Sequence, residues 1–354
     1  MVAINVFEDD AFSFTQLVGA IDKVPYNPTF MQSLNLCVPR PVTTTSVYVE
    51  ERNGTLGLVQ TTPRGSPPPE RTTEKRAVRP FKTVRIAKKD RLMADEIAGI
   101  RAFGSESDVQ AMQKELMRRL SGPAGLQSEI EMTWEHMLHG MVQGIVLDAD
   151  GSVIYNYYDE FGISQPDVIY FDLTGANAAS TAVNGATVLK AFIRENVVRP
   201  MIRASKGMIT TQSKIMALCG NTFFDKLTSH GDVARAYGNY QQVKPDDSSG
   251  AFEVFYWGGV YWVDYRGTDD NSTIAIDPDE VKFFPANAPG IFINAWSPGE
   301  GFDVVNTPGI PLLPRIVVDP STLQEWVDAH LRSYPLHICS RPEVLLRGSR
   351  LVHP

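Results

Sequence analysis

The chain has 354 residues, 43% apolar and 21% charged, with 33 Lys and Arg against 41 Asp and Glu for a formal net charge of −8. That length exceeds one ordinary compact core and predicts about two domains, and the composition is that of a folded soluble chain. The acidic balance excludes a protein that grips nucleic acid through its whole surface, because phosphate neutralisation needs Lys and Arg. Cys37, Cys219 and Cys339 are odd in number and far apart. They fit no disulfide framework or Cys-based zinc site and suit a reducing compartment. The opening MVAINVFEDDAF carries acid where a signal peptide would carry Lys or Arg, and no apolar run reaches the roughly 18–20 residues of a membrane span.

Residues 1–41 read as an extended arm with a short helix around 29–36, broken by Pro28, Pro39 and Pro41. Residues 43–62 read as a hairpin turning at Asn53-Gly54, with 55–61 as the return strand. The run 63–69 is Pro-rich loop, and 77–88 alternates again as a strand. Residues 92–121 read as helical with a break near Gly104. Gly122-Pro123 stops that helix and restarts another over about 123–143. Leu126, Ile130, Trp134, Met137, Leu138 and Met141 form its apolar stripe, which leaves Glu129, Glu131 and Glu135 on the exposed face.

A second hairpin over 144–158 turns at Asp150-Gly151. Helix is expected over 185–205, a strand at 215–219, a helix from Asn221 to Thr228, and an aromatic strand pair over 252–265 around Gly258-Gly259. A turn or short helix at 277–281 leads into Phe283-Phe284. A late helix is expected over 323–332, and a closing strand over 336–346 is interrupted by Pro342.

No sequence motif for catalysis stands out. There is no phosphate loop and no G-x-S-x-G elbow, and Gly299-Glu300-Gly301 lacks a third glycine. His136 and His139 beside Glu135 lack the H-E-x-x-H order and a third ligand, so packing is the expected role. Asp148-Ala149-Asp150-Gly151 lacks the rest of a calcium loop and reads as a turn. Asp269-Asp270-Asn271 reads as a solvated acidic loop. No cofactor and no metal is expected.

Four stretches in order carry a family likeness: TTSVYVEERNGTLGLVQTTPRGSPPPE at 44–70, ADEIAGIRAFGSE at 94–106, LHGMVQGIVLDADGSVIY at 138–155 and HICSRPEVLLR at 337–347. Together they resemble the lambda-type major capsid protein E family of tailed phages. The resemblance implies an α+β, Johnson-type major capsid fold. Its parts would be an N-terminal arm (1–41), an extended β loop or E-loop (42–92), a peripheral domain (93–180 and 331–354) with a spine helix at about 123–143, and an axial domain (181–330). It implies a structural head protein, not an enzyme, that self-assembles as hexamers and pentamers into an icosahedral shell around phage dsDNA. Scaffold or protease, portal and possible decoration-protein partners are implied too, with assembly in the bacterial host cytoplasm, no membrane and no sequence-specific DNA binding. Other readings remain open: a decoration or tail protein, a non-viral encapsulating shell, or an enzyme with a dispersed active site.

Charge suggests how subunits meet. Residues 64–91 hold ten basic and three acidic residues, a net of +7, while 123–163 hold seven acids and no Lys or Arg. The expected contact sets Arg71, Lys75, Arg76, Arg79, Lys82, Arg85, Lys88 and Lys89 of one subunit against Glu129, Glu131, Glu135, Asp148 and Asp150 of a neighbour. Opposite fields of this kind orient an encounter more than they add affinity. The alternative is that both segments are solvated or paired within one subunit.

Overall fold

The structure is a computed structural model that describes residues 27–53, 75–97, 108–173, 188–243, 254–268, 270, 272–321 and 325–351. The chain begins with a single helical turn, α1 (Phe30–Ser33), and the strands β1 (Val38–Pro41), β2 (Ser46–Asn53), β3 (Lys75–Lys82) and β4 (Ile86–Met93). β2 pairs antiparallel with β3, from Ser46 opposite Lys82 to Asn53 opposite Lys75. The partner of β2 is therefore 75–82; the expected return strand 55–61 lies outside the described residues.

Helices α2 (Ala94–Ile97), α3 (Asp108–Ser121) and α4 (Leu126–Gln143) follow. Gly104 lies outside the described residues. The Gly122 N–H closes onto the Arg118 carbonyl at 2.8 Å, and the Gly125 N–H onto the Gly122 carbonyl at 2.8 Å, so α4 restarts three residues after the expected Pro123. α4 ends at Gly144, whose φ of 87° suits glycine; a Cβ there would sit 2.5 Å from the Tyr158 ring. The hairpin β5 (Ile145–Leu147) and β6 (Val153–Asn156) turns through Gly151 at φ 82°. It is shorter than expected, because the Asn156 side chain accepts from the Tyr158 N–H and starts α5 (Tyr157–Phe161).

After β7 (Val168–Tyr170), the helices α6 (Val188–Ile193) and α7 (Arg199–Ala204) join through a wider π turn at Arg194–Val198. Pro200 has no N–H for the carbonyl of Asn196, four residues back, which accounts for ladder irregularity there. Then come β8 (Lys214–Cys219), α8 (Asn221–Ser229), α9 (Gly231–Val243), β9 (Val254–Trp257), β10 (Val260–Asp264), β11 (Glu280–Ala286), β12 (Phe292–Trp296), β13 (Leu313–Val318), β14 (Trp326–Ser333), β15 (Pro335–Cys339) and β16 (Leu346–Ser349). The expected helix at 323–332 is instead β14. Ala329, Leu331 and Ser333 are buried at alternate positions, and both edges pair, with β13 and with β4. Helix-forming residues here yield to ladder pairing and period-2 burial.

A mixed six-stranded sheet runs β7-β16-β11-β8-β10-β9. Its core holds Trp262, Phe223, Phe255 and Phe283, all at most 2% exposed, with Trp262 stacked on Phe223 and edge-on to Phe283. The Trp262 Nε1–H is satisfied by the Trp257 carbonyl at 3.0 Å. Two three-stranded sheets, β1-β12-β15 and β13-β14-β4, flank α4. Leu92, Ala329 and Leu331 of the latter pack with Leu116 and Leu120 of α3 and with Leu126 and Ile130 of α4. β12 pairs with β1 and β15, β13 and β14 share a sheet with β4, and β16 joins the six-stranded sheet.

Candidate assembly interface

The β2–β3 ribbon forms a sheet of its own among the described residues. Its root is fixed. Phe81 is fully buried, edge-on to Tyr155 at 5.5 Å and Tyr157 at 6.4 Å. Tyr155 clamps the end of β3, its hydroxyl accepting from the Lys82 N–H at 2.9 Å and donating to the Lys82 carbonyl at 2.7 Å. Val47 and Val49 share that inner face and pack on the core. The opposite face carries Tyr48 beside Pro80, and Val78, and Tyr48 and Val78 are 69% and 58% exposed. An isolated two-stranded ribbon is marginally stable in water.

Much of the expected charge pairing closes inside the subunit. Lys88 meets Glu129 at 2.6 Å, Lys89 meets Asp328 at 3.5 Å and Arg85 meets Glu300 at 3.0 Å. Arg79 donates to the Glu160 carbonyl and lies over the Phe161 ring at 5.0 Å. Lys82 contributes backbone contacts to Tyr155. Arg71 and the side chains of Lys75 and Arg76 lie outside the described structure.

Among the acids, Glu131 accepts from Gln127 at 2.8 Å. Asp148 and Asp150 lock the hairpin turn through the N–H groups of Ala149 at 2.7 Å and Ser152 at 2.9 Å. Hydrogen bonds from Ser152 hold the Asp150 carboxyl below its ordinary value.

Glu135 corrects the expectation of an exposed acidic face, because it is fully buried. Its carboxylate accepts from the N–H groups of Met31 at 2.8 Å and Gln32 at 3.2 Å and from the Tyr265 hydroxyl at 3.3 Å. Burial pushes its pKa up to about 7 against those hydrogen bonds. The helical wheel hid this, because the segment around α1 lies over that face of α4: the Asn27 amide reaches the Ser128 carbonyl at 3.1 Å, and the Gln32 amide reaches the Glu131 carbonyl at 2.8 Å. His139, stacked on Tyr265 at 5.5 Å, is buried and drops to about 3, chiefly through burial. No helix of the described residues is long and apolar enough to cross a membrane.

The family described as "Phage major capsid protein E" matches residues 13–350. The major capsid protein of Salmonella phage Felix O1 (isolate Felix O1-VT1) is 24% identical over 96% of each chain. That of Pseudomonas phage KPP10 is 22% identical over 95% of this chain and 96% of its own. Among solved structures, the mature capsid of bacteriophage PhiM1 superimposes with a TM-score of 0.50 at 12% identity, over 94% of this chain and 90% of that one.

Proposed function

The chain belongs to the phage major capsid protein E family, and from that premise we propose how its subunits join. The protein is a structural capsid subunit, not an enzyme. It has the tailed-phage major capsid (HK97-like) fold and self-associates into the shell of the virion.

The β2–β3 ribbon is the joining element, an extended loop that lies across a neighbouring subunit. The observation that carries this is a ribbon fixed at its root by Phe81 and Tyr155 and open along Tyr48, Pro80 and Val78. A second copy covering that face removes two large apolar side chains from water, at ~25 cal/mol per Å². The charge contribution is smaller than the segment totals suggest. Lys88, Lys89, Arg85 and Arg79 have partners at home, so the cross-subunit contact rests on Arg71, Lys75, Arg76 and Lys82 facing Glu131, Asp148 and Asp150. In this reading the α1 segment is the N-terminal arm, α4 the spine helix of a peripheral domain, and the six-stranded sheet the core of the axial domain. Subunits form hexamers and pentamers of an icosahedral shell around dsDNA in the host cytoplasm, with scaffold or protease, portal and decoration proteins as partners.

Expression and electron microscopy test the reading. Hollow particles or rings of five and six are expected; a stable monomer overturns it. Changing Asp148 and Asp150 to Asn, which keeps the turn's acceptors and removes the charge, is expected to slow assembly most at low salt. Equal assembly rates at low salt would remove the charge contribution.

A further inference from the structure

Lys282 and Arg347 stand directly opposite each other in the β11–β16 ladder. Two like charges in that position destabilise a sheet, so a fold that keeps them invites an account of what offsets the repulsion. Both line a cavity of about 410 Å³, closed on its other side by the end of α4 and the β5–β6 hairpin. His136 and His139 enter it from α4, and Ile145, Leu147 and Val153 supply an apolar wall. None of the described lining residues is Asp or Glu.

Lys282 has Glu280 beside it at 2.5 Å. Among the described residues no hydrogen bond or ion pair holds the Arg347 guanidinium, and its Nε–H is buried without an acceptor. A buried donor left unpaired costs about 1–3 kcal/mol. The cationic field is felt by its neighbours: after burial, Lys282 and His136 are the causes that lower His139, and Arg347 works against the burial that raises Tyr158. The cavity has the positive charge of Lys282 and Arg347 on one wall and hydrocarbon on the other. That combination suits a carboxylate on an aliphatic stem better than a bare phosphate, which has no apolar part.

We propose that this cavity receives an Asp or Glu side chain from a second copy of the chain, with the carboxylate on Arg347 beside Lys282 and its stem against the hairpin. The proposal rests on the shell role, which supplies second copies, and on a chain that carries 41 acids against 33 bases. Assembly thus sets an acid beside Arg347, as Glu280 is set beside Lys282 within the subunit.

The test compares Arg347→Gln and Arg347→Lys with the wild type, both as subunits and as particles. Removing the like charge leaves the melting temperature of the isolated Arg347→Gln subunit unchanged or higher, whereas a merely structural arginine would lower it. The same change raises the unassembled fraction at least about tenfold, and Arg347→Lys recovers part of the loss because it keeps the charge but not the planar fork. A cryo-EM map of the wild-type particle shows an acidic side chain of an adjacent copy within hydrogen-bond distance of Arg347. A cavity open to solvent in that map, or particles indifferent to Arg347→Gln, overturns the proposal and leaves the shell role standing. Inorganic phosphate that stabilises the free subunit while particles ignore the variant marks a free-anion site and overturns it too. A wild type that forms no particle overturns both readings.

Discussion

The six-stranded sheet buries Trp262, Phe255, Phe283 and Phe284 almost completely, while the β2–β3 ribbon buries Phe81 at its root and leaves Tyr48 and Val78 in water. Both satisfy their ladders by pairing. They differ in what covers the second face. Helices from the same chain cover the sheet, as in the packing of Phe223 of α8 on Trp262, and nothing among the described residues covers Tyr48 and Val78. The first region is completed by folding, and the second is the one we propose another copy completes.

The contrast breaks most visibly at the sheet. Trp262→Ala is expected to cost about 3–5 kcal/mol, read as a fall in the urea midpoint of the subunit; a loss under about 1 kcal/mol would mean the aromatic cluster repacks. Next comes Asp328, buried on β14 and bound by Arg91 at 2.6 and 2.9 Å. That hydrogen-bonded pair holds its carboxyl below the ordinary value. A depressed carboxylate contributes stability above its unfolded value and loses it as pH falls through the folded one. Asp328→Asn is therefore expected to cost about 1–3 kcal/mol near pH 7, with the gap to wild type closing on acidification below about pH 4. A gap that stays constant on acidification would deny the ion pair its role.

Glu135 has the opposite sign. Its folded value near 7 stands above the ordinary carboxylate range, so its contribution is present in full below that range and is lost as pH rises through about 7. The wild-type melting temperature should decline between about pH 5 and pH 8 by more than that of Glu135→Gln, which holds the arm without ionising. Parallel pH profiles would show that the carboxylate is solvated. The smallest effect on the subunit belongs to the ribbon. Tyr48→Ser with Val78→Ser should stay within about 0.5 kcal/mol of wild type as a subunit yet lose particle yield in electron micrographs. Undiminished yield would place the neighbour elsewhere.

Local pattern was readable wherever local physics decides. The α4 stripe, the Asp150-Gly151 turn, the strand at 215–219 and the Gly258-Gly259 hairpin follow from periodicity and turn chemistry. The late helix was misread because 323–332 is rich in helix formers, and only pairing with both β13 and β4 makes it a strand. Helix α9 and strands β12 and β13 were not anticipated; β13, exposed at most positions, has little alternation to show.

The sequence by itself determined an acidic, folded chain with a long helix carrying an apolar stripe, because composition and helical spacing are properties of single segments. Four ordered stretches were enough to carry the family likeness. Which charges are free was decided by tertiary structure alone. Glu135 lies under the arm, Lys88 is tied to Glu129, and Lys282 faces Arg347, because segments distant in the chain meet there, and the cost of burying or opposing a charge exists only once they have met.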